Sequence, residues 1–194
     1  LSLCNVPENS PTISFFQTHL NATVAKEDTT PIIPLPSSWN EYAESLPYKP
    51  RHELERKLRK VEREHHNPTV TQSTTPFRDI DILLGLMRKD KKKNIFLTQE
   101  VSAFFRAIAT AFAPEISLLI LSVDNKLAAA TLSFATDNSY LLYNSGFDRA
   151  CCQNAGLYLK AMSIKHAIKQ GFGEYNFLQG SERYKYELGG KDFW

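Results

Sequence analysis

Apolar positions change their spacing along the chain, and each change marks an element. Within residues 51–64, Leu54, Leu58 and Val61 recur at helical intervals, while Arg56, Arg59, Lys60 and Arg63 fall on the opposite side. This predicts a helix from Arg51 to Glu64, ended by Asn67-Pro68. Upstream, Ser37 or Ser38 caps a short helix carrying Trp39, Tyr42 and Leu46 on one side, and Pro47 and Pro50 break it. Thr69 to Thr74 is a short strand candidate, and Phe77 to Met87 reads as a third helix. Asp90-Lys91-Lys92-Lys93 reads as a solvated turn. Thr98 opens a fourth helix, with Val101, Phe104, Phe105, Ile108 and Phe112 as its buried face, closed by Pro114.

Beyond Pro114 the period shortens. Ile116 to Val123 is an apolar run, Asp124-Asn125-Lys126 a hairpin turn, and Leu127 to Ala135 the return strand. Thr136 to Ser139 turns into a third strand, Tyr140 to Ser145. A long helix then runs from Asn154, in the N-cap position, to Gln170, with Leu157, Ala161, Ile164 and Ile168 as its core stripe and Gly171 as its stop. Glu174 to Leu178 is the final strand. Helices, a β-meander, then one helical crossover to a further strand imply a mixed sheet of the α/β or α+β kind, with right-handed parallel pairing across the last helix.

Residues 1–36 break this regularity. They are rich in Pro, Thr, Ser and Asn, and Pro31 to Pro36 must be extended. They read as a linker or the remnant of an N-terminal lobe, with the main domain over 37–194. The start on Leu1 and the abrupt stop at Trp194 suggest that this domain is incomplete at both ends.

Composition narrows the function classes. The chain has 194 residues, 42% hydrophobic and 11% aromatic, enough for one packed domain or two small lobes. A net charge of +2 is too small to argue nucleic-acid binding, so any basic surface must be local. Cys151 and Cys152 are adjacent and no Cys-x-x-Cys occurs, which suits a reducing cytoplasm. No run reaches the roughly 18 apolar residues of a membrane span, and no secretion signal opens the chain. Asn21-Ala22-Thr23 is then a chance match to a glycosylation acceptor.

Familiar catalytic motifs are absent from the sequence: no Gly-x-Ser-x-Gly, His-Glu-x-x-His, P-loop or Gly-x-Gly-x-x-Gly. His19, His52, His65, His66 and His166 are scattered, and no metal site is expected. Without a histidine partner, a cysteine nucleophile at 151 or 152 is disfavoured, although a nearby helix start can lower a thiol pKa. The dense segment is Tyr175 to Gly190. Lys185 lies between Tyr184 and Tyr186, where partial desolvation would suit a fixed charge against a developing oxyanion. The competing reading is a solvated turn with Lys185 paired to Glu182 or Glu187.

This segment resembles the C-terminal signature of FemABX/CelD-like acyltransferases, a branch of the GNAT superfamily. The matching residues are Ala155-Gly156-Leu157, Gly171, Tyr175-Asn176-Phe177, Gly180, Glu182, Tyr184-Lys185 and Gly189. Tyr140 to Phe147, the hairpin at Val123 to Ala130, Trp39-x-x-Tyr42 and the Arg/Lys-rich helix at 51–59 extend the resemblance more loosely. Asn176 replaces the usual Asp and Gln179 the usual Arg, so charges are lost there. The resemblance implies an α/β GNAT-like mixed sheet flanked by helices, with a helical N-terminal part; the family's N-terminal lobe is mostly missing from this sequence, as is the final strand that the family leads one to expect after Gly190. It implies an acyl-CoA co-substrate with pyrophosphate at Ala155, Gly156 and Leu157, where helix amides favour an anion. The glycine-rich loop of ordinary GNAT enzymes is not evident before Gly156. FemABX peptidoglycan enzymes use aminoacyl-tRNA, a second possible donor.

Catalysis falls to Lys185, with Glu182 and Tyr184, and substrate binding to Tyr143, Asn144, Asn176, Gln179 and Gly180. The acceptor is a small molecule, glycan or peptide offering an amine or hydroxyl, of cell-envelope or polysaccharide-related type. The alternative is a non-catalytic module binding tRNA or another polyanion through Arg56, Arg59, Lys60 and Arg63, a ridge diluted by Glu53, Glu55, Glu62 and Glu64.

Overall fold

A computed structural model describes residues 2–4, 6–65 and 67–193. Leu1, Asn5, His66 and Trp194 lie outside the described residues. The chain opens with α1 (Pro11–Leu20), β1 (Thr30–Pro34), α2 (Trp39–Ser45), α3 (Tyr48–Glu64) and β2 (Thr69–Gln72). Next come α4 (Pro76–Met87), α5 (Lys91–Phe96), α6 (Gln99–Ala111), β3 (Ile116–Val123), β4 (Lys126–Ala135) and β5 (Ser139–Phe147). It closes with α7 (Ala155–Gln170), β6 (Glu174–Asn176), α8 (Arg183–Glu187) and β7 (Lys191–Phe193).

Among the described residues the strands form one seven-stranded sheet, in the order β2-β3-β4-β5-β6-β1-β7. Only the β5–β6 pair is parallel, and α7 is its crossover. The other pairs are antiparallel. Asp124 and Asn125 take positive φ, as a two-residue hairpin loop needs to match strand twist.

Both faces of the sheet are covered, which explains why its central strands read as unbroken apolar runs. Ile116, Leu118 and Ile120 of β3 pack with Leu132 of β4 against Leu83, Leu84 and Phe105 of α4 and α6. Their alternating neighbours Leu119, Leu121 and Val123 pack against Tyr158 and Leu159 of α7 and Val61 of α3. A further cluster joins α2 and α7 to Tyr140, Tyr175 and Phe177. There the Tyr42 hydroxyl donates to the Leu188 carbonyl at 2.9 Å, so this buried phenol is satisfied. Gly146 lets the end of α4 meet β5. A side chain there would stand 2.4 Å from the Met87 backbone nitrogen.

Several expectations need correction. Pro31 to Pro34 is extended, but it is an interior strand paired to β6 and β7, not a linker. Pro34 falls at the end of the β1–β6 ladder, while Pro31 is the middle position of the β1–β7 ladder and its carbonyl accepts from the Phe177 amide at 3.0 Å. A strand does follow Gly190, since β7 pairs with β1. Pro50 lies inside the first turn of α3, where amides lack helical partners anyway. Asp90 to Lys93 is a capped helix start. The Asp90 carboxylate accepts from the Lys92 and Lys93 amides, both at 3.0 Å. Phe104 and Phe112 are half exposed, at 51% and 48%, so only Phe105 of that trio is core. Asn154 stands at the N-cap of α7 without a side-chain cap bond.

Candidate active site at a splayed strand pair

The parallel ladder between β5 and β6 covers only Ser139–Leu141 against Glu174–Asn176. Beyond it β5 runs on to Phe147, while the chain after β6 bends away. Leu178 and Gly180, with φ of +56° and +113°, make that bend. The Asn176 side chain supports it by accepting the Leu178 amide at 2.7 Å. The edge of β5 from Leu142 onward is left open toward a cleft of ≈1780 Å³. Glycine at 180 suits the left-handed φ there, and a Cβ would also push the Glu182 carboxylate, 2.6 Å away, off its present position.

β5 carries a bulge where it opens. Leu132 pairs with Asn144 and Ser133 with Leu142, which leaves Tyr143 extra. A bulge re-aims side chains, and here it throws Tyr143 and Asn144 toward the same face. Tyr143 packs against Phe105 and Phe134. The Asn144 side-chain oxygen Oδ1 accepts from the Lys93 ammonium at 3.0 Å, and the Ser145 backbone carbonyl accepts from the same ammonium. Burial holds the Lys93 pKa below its ordinary value, and nearby Asp90 and Glu182 oppose that drop.

Lys185 is 2% exposed. Its ammonium donates to the carbonyls of Leu178 at 3.1 Å, Gln179 at 2.8 Å and Gly180 at 3.0 Å, and pairs with Glu182 at 2.9 Å. Of the two sequence readings, this is the ion pair with Glu182, but buried and in helix α8, not in a solvated turn. Burial pushes the Glu182 carboxyl up, yet the Lys185 pair and a backbone amide outweigh it and hold the pKa low. Burial, helped by Glu182, raises the Tyr184 phenol well above its ordinary range, so it stays a neutral donor.

Glu182, Tyr184, Lys185, Tyr143, Asn144, Asn176 and Gln179 all line the cleft, and Gly180 shapes its loop. Ala155, Gly156 and Leu157 do not line it. Ala155 and Gly156 are buried, and the Phe147 ring lies over Gly156, 2.7 Å from where a Cβ would sit. The basic ridge of α3 is paired internally: Arg56 to Glu53, Arg59 to Glu55, and Lys60 and Arg63 to Glu64. Burial raises the pKa of both Cys151 and Cys152, the reverse of activation by a helix start. No group of metal-ligating side chains occurs among the described residues, and none of their helices is long and apolar enough to cross a membrane.

Two lysines escaped the sequence reading. Lys93 was hidden in a charged run, although Asp90 three positions earlier is a helix-cap signal. Lys160 sits three residues after Leu157 and four before Ile164, on the apolar stripe of α7. It is 7% exposed, with its ammonium 4.5 Å from the Tyr184 ring centre.

Residues 49–186 match the family described as the acetyltransferase (GNAT) domain. No protein of curated function matches the chain in sequence. A conserved protein of unknown function from Bacteroides thetaiotaomicron shares the fold at TM-score 0.68 and 14% identity, over 97% of this chain and 65% of its own. FemX does so at 0.68 and 12%, over 97% and 68%. The C-terminal DUF2156 domain of a lysylphosphatidylglycerol synthetase homologue from Agrobacterium fabrum does so at 0.64 and 12%, over 95% and 63%. The chain thus spans about two thirds of the length of the structures it resembles. At these identities the likeness is one of fold: a mixed sheet flanked by helices.

Proposed function

Because the chain belongs to the acetyltransferase (GNAT) domain family, we propose that it transfers an acyl group from acyl-CoA to an amine or hydroxyl of a cell-envelope or polysaccharide-related acceptor. The family is one of N-acyltransferases. Placement in the FemABX/CelD-like branch is supported by the Tyr184-Lys185 signature and by the fold shared with FemX. A cytoplasmic site of action accords with the unpaired cysteines.

The open edge of β5 carries the reading. An extended donor arm can bond to strand groups as an added strand does, once it displaces the Lys93 ammonium and the Asn144 side chain that hold the Ser145 carbonyl and amide. There it would lie between Asn144 and the Leu178–Gly180 loop. The acceptor nitrogen, as a free amine, attacks the thioester carbonyl carbon. A C–N bond forms and the C–S bond breaks. The sulfur leaves as thiolate and takes the proton that the nitrogen gives up, yielding an amide and a thiol.

The negative charge that builds on the carbonyl oxygen needs a preorganised positive field. Lys185 supplies it as a fixed charge, although its donors are committed to the loop and Glu182. Lys93 holds two acceptors and has a third N–H to offer. Glu182, Gln179 and Asn144 position the acceptor. The amides at Ala155 to Leu157 remain a candidate seat for the donor pyrophosphate, provided the Phe147 ring moves off Gly156. An aminoacyl-tRNA donor gains little from α3, whose cations are already paired.

The test is thiol release from acetyl-CoA in the presence of amine acceptors, with aminoacyl-tRNA as the alternative donor. Acyl-CoA turnover that falls about a hundredfold in Lys185→Ala supports the assignment. Turnover with aminoacyl-tRNA alone would replace the donor. Full activity in Lys185→Ala would remove Lys185 from the chemistry.

A further inference from the structure

The cleft carries apolar lining as well as polar groups. Leu3, Leu20, Val24, Tyr143 and Phe193 are large apolar side chains between 36% and 59% exposed, and all five line it. Exposed apolar surface gathered in one concave place marks a binding site, whereas single exposed residues do not.

Helix α1 and the segment after it build one wall. The ends of α1 are fixed locally. Pro11 opens the helix, the Ser10 side chain accepts the Thr12 amide at 3.3 Å, and Asn21 closes it in left-handed conformation. None of its residues is buried, and its two faces differ. Thr12, Ile13, Phe16 and Leu20 line the cleft at helical spacing, while Ser14, Phe15 and His19 do not. On that outer face Phe15 stacks on His19. A second protein would meet the outer face first, so what covers the inner face must enter the cleft.

This wall is continuous with the candidate active site. The Thr29 carbonyl, at the end of the N-terminal segment, accepts the Gly180 amide at 2.9 Å. Gly180 belongs to the loop whose carbonyls hold the Lys185 ammonium. On the sheet side Leu142 and Tyr143 precede Asn144, and Phe177 precedes the loop, so apolar lining adjoins the groups assigned to the reaction. A drug-sized ligand fills about 300–1,000 Å³, and this cleft of ≈1780 Å³ has room for a chain beside a donor arm. We propose that the apolar wall takes the hydrocarbon chain of the acyl donor. From Ile13 to Leu20 the inner face of α1 runs about 10 Å, the reach of an extended chain of about eight carbons. The preferred donor is then a medium- or long-chain acyl thioester. This rests on the transfer reading and names its substrate class. The acyl carbon must lie at the polar groups of the splayed strands, and its chain must leave that point along an apolar path. An acetyl group has no chain to lay against α1.

The experiment is calorimetric titration of the full chain with acetyl-CoA and with octanoyl-CoA, the latter below its micelle-forming concentration. Each methylene fully buried is worth about fourfold in affinity, so octanoyl-CoA is expected to bind at least about tenfold more tightly even with its chain partly buried. Leu20→Glu and Val24→Glu should each remove most of that difference. Phe15→Glu, on the outer face of α1, should not. All three side chains are exposed, and melting temperatures check that the variants fold. Hydrogen exchange across residues 11–20 should slow with octanoyl-CoA and not with acetyl-CoA.

Equal affinity for the two thioesters would overturn the inference and leave transfer from acetyl-CoA standing. So would a chain preference that survives in both glutamate variants of the inner wall, or one lost equally in Phe15→Glu. If chain length matters only in an alkyl acceptor, octyl against methyl glucoside, the wall belongs to the acceptor and the donor assignment falls. Chain-dependent binding of octanoyl-CoA without transfer to any amine would remove the transfer reading and keep the wall. No binding of either thioester would overturn this inference together with the acyl-CoA donor.

Discussion

The two halves of the sheet are built differently. The meander β3–β4–β5 has long ladders, with eight paired positions between β3 and β4, and apolar cores on both faces. The half made of β6, β1 and β7 pairs over three positions at each contact. Short ladders free the chain to leave the sheet early, and that departure makes the cleft. The long half is a platform. The short half spends its polar groups on shape: three carbonyls and a carboxylate gathered on one ammonium, Lys185.

That contrast is easiest to break in the platform. Leu132→Ala, at a fully buried site in mid-β4, should cost about 4 kcal/mol in a denaturant titration. A loss below about 1 kcal/mol would mean that the platform is softer than described. Lys160→Met should act in the opposite sense. Its pKa lies at about 8 folded against 10.5 free. Between those values the unfolded chain binds more protons, so native stability rises with pH across that window. Removing the charge should therefore stabilise the protein by up to about 3 kcal/mol at neutral pH, with the gain fading toward about pH 10.5. A pH-independent difference between variant and parent would show that Lys160 is not held as a strained cation.

In the short half, Lys185→Met should cost about 2 kcal/mol by stranding the loop carbonyls, and it should lower transfer far more than the melting temperature. Equal effects on both would reduce Lys185 to a stability residue. Tyr42→Phe leaves the Leu188 carbonyl unpaired inside the core and should cost about 1.5 kcal/mol in the same titration. Arg56→Ala, on the exposed ridge, should leave both the melting temperature and transfer unchanged, because its ion pair with Glu53 is solvated. A fall in transfer that is also salt-dependent would revive the polyanion reading of α3.

The sequence made the platform legible and the short half far less so. Unbroken apolar runs and the Asp124-Asn125 turn announce β3 and β4 directly. Strands of three to five residues carry no such pattern, and β1 and β7 are strands through partners 140 or more positions away. The site divides likewise. Glu182, Tyr184 and Lys185 sit in one contiguous segment and line the cleft together, with Glu182 paired to Lys185. Lys93 comes from a charged run, and its position depends on how α5 docks beside β5. Lys160 was visible as a lysine on an apolar stripe, a local conflict of the kind that marks function. The donor seat at Gly156 rests on the family resemblance and the helix dipole, and spacing gives no sign of the Phe147 ring that covers it.

The position of β1 has a consequence in time. Its partners are β6 and β7, so Thr30 to Pro34 waits for nearly the whole chain before it can pair. Loop closure on that scale is slow. On the ribosome the platform can close first, while the floor of the cleft is completed only when residues 174–193 emerge. Until then β1 is an unsheltered Ile-containing segment, open to capture by a chaperone or a protease.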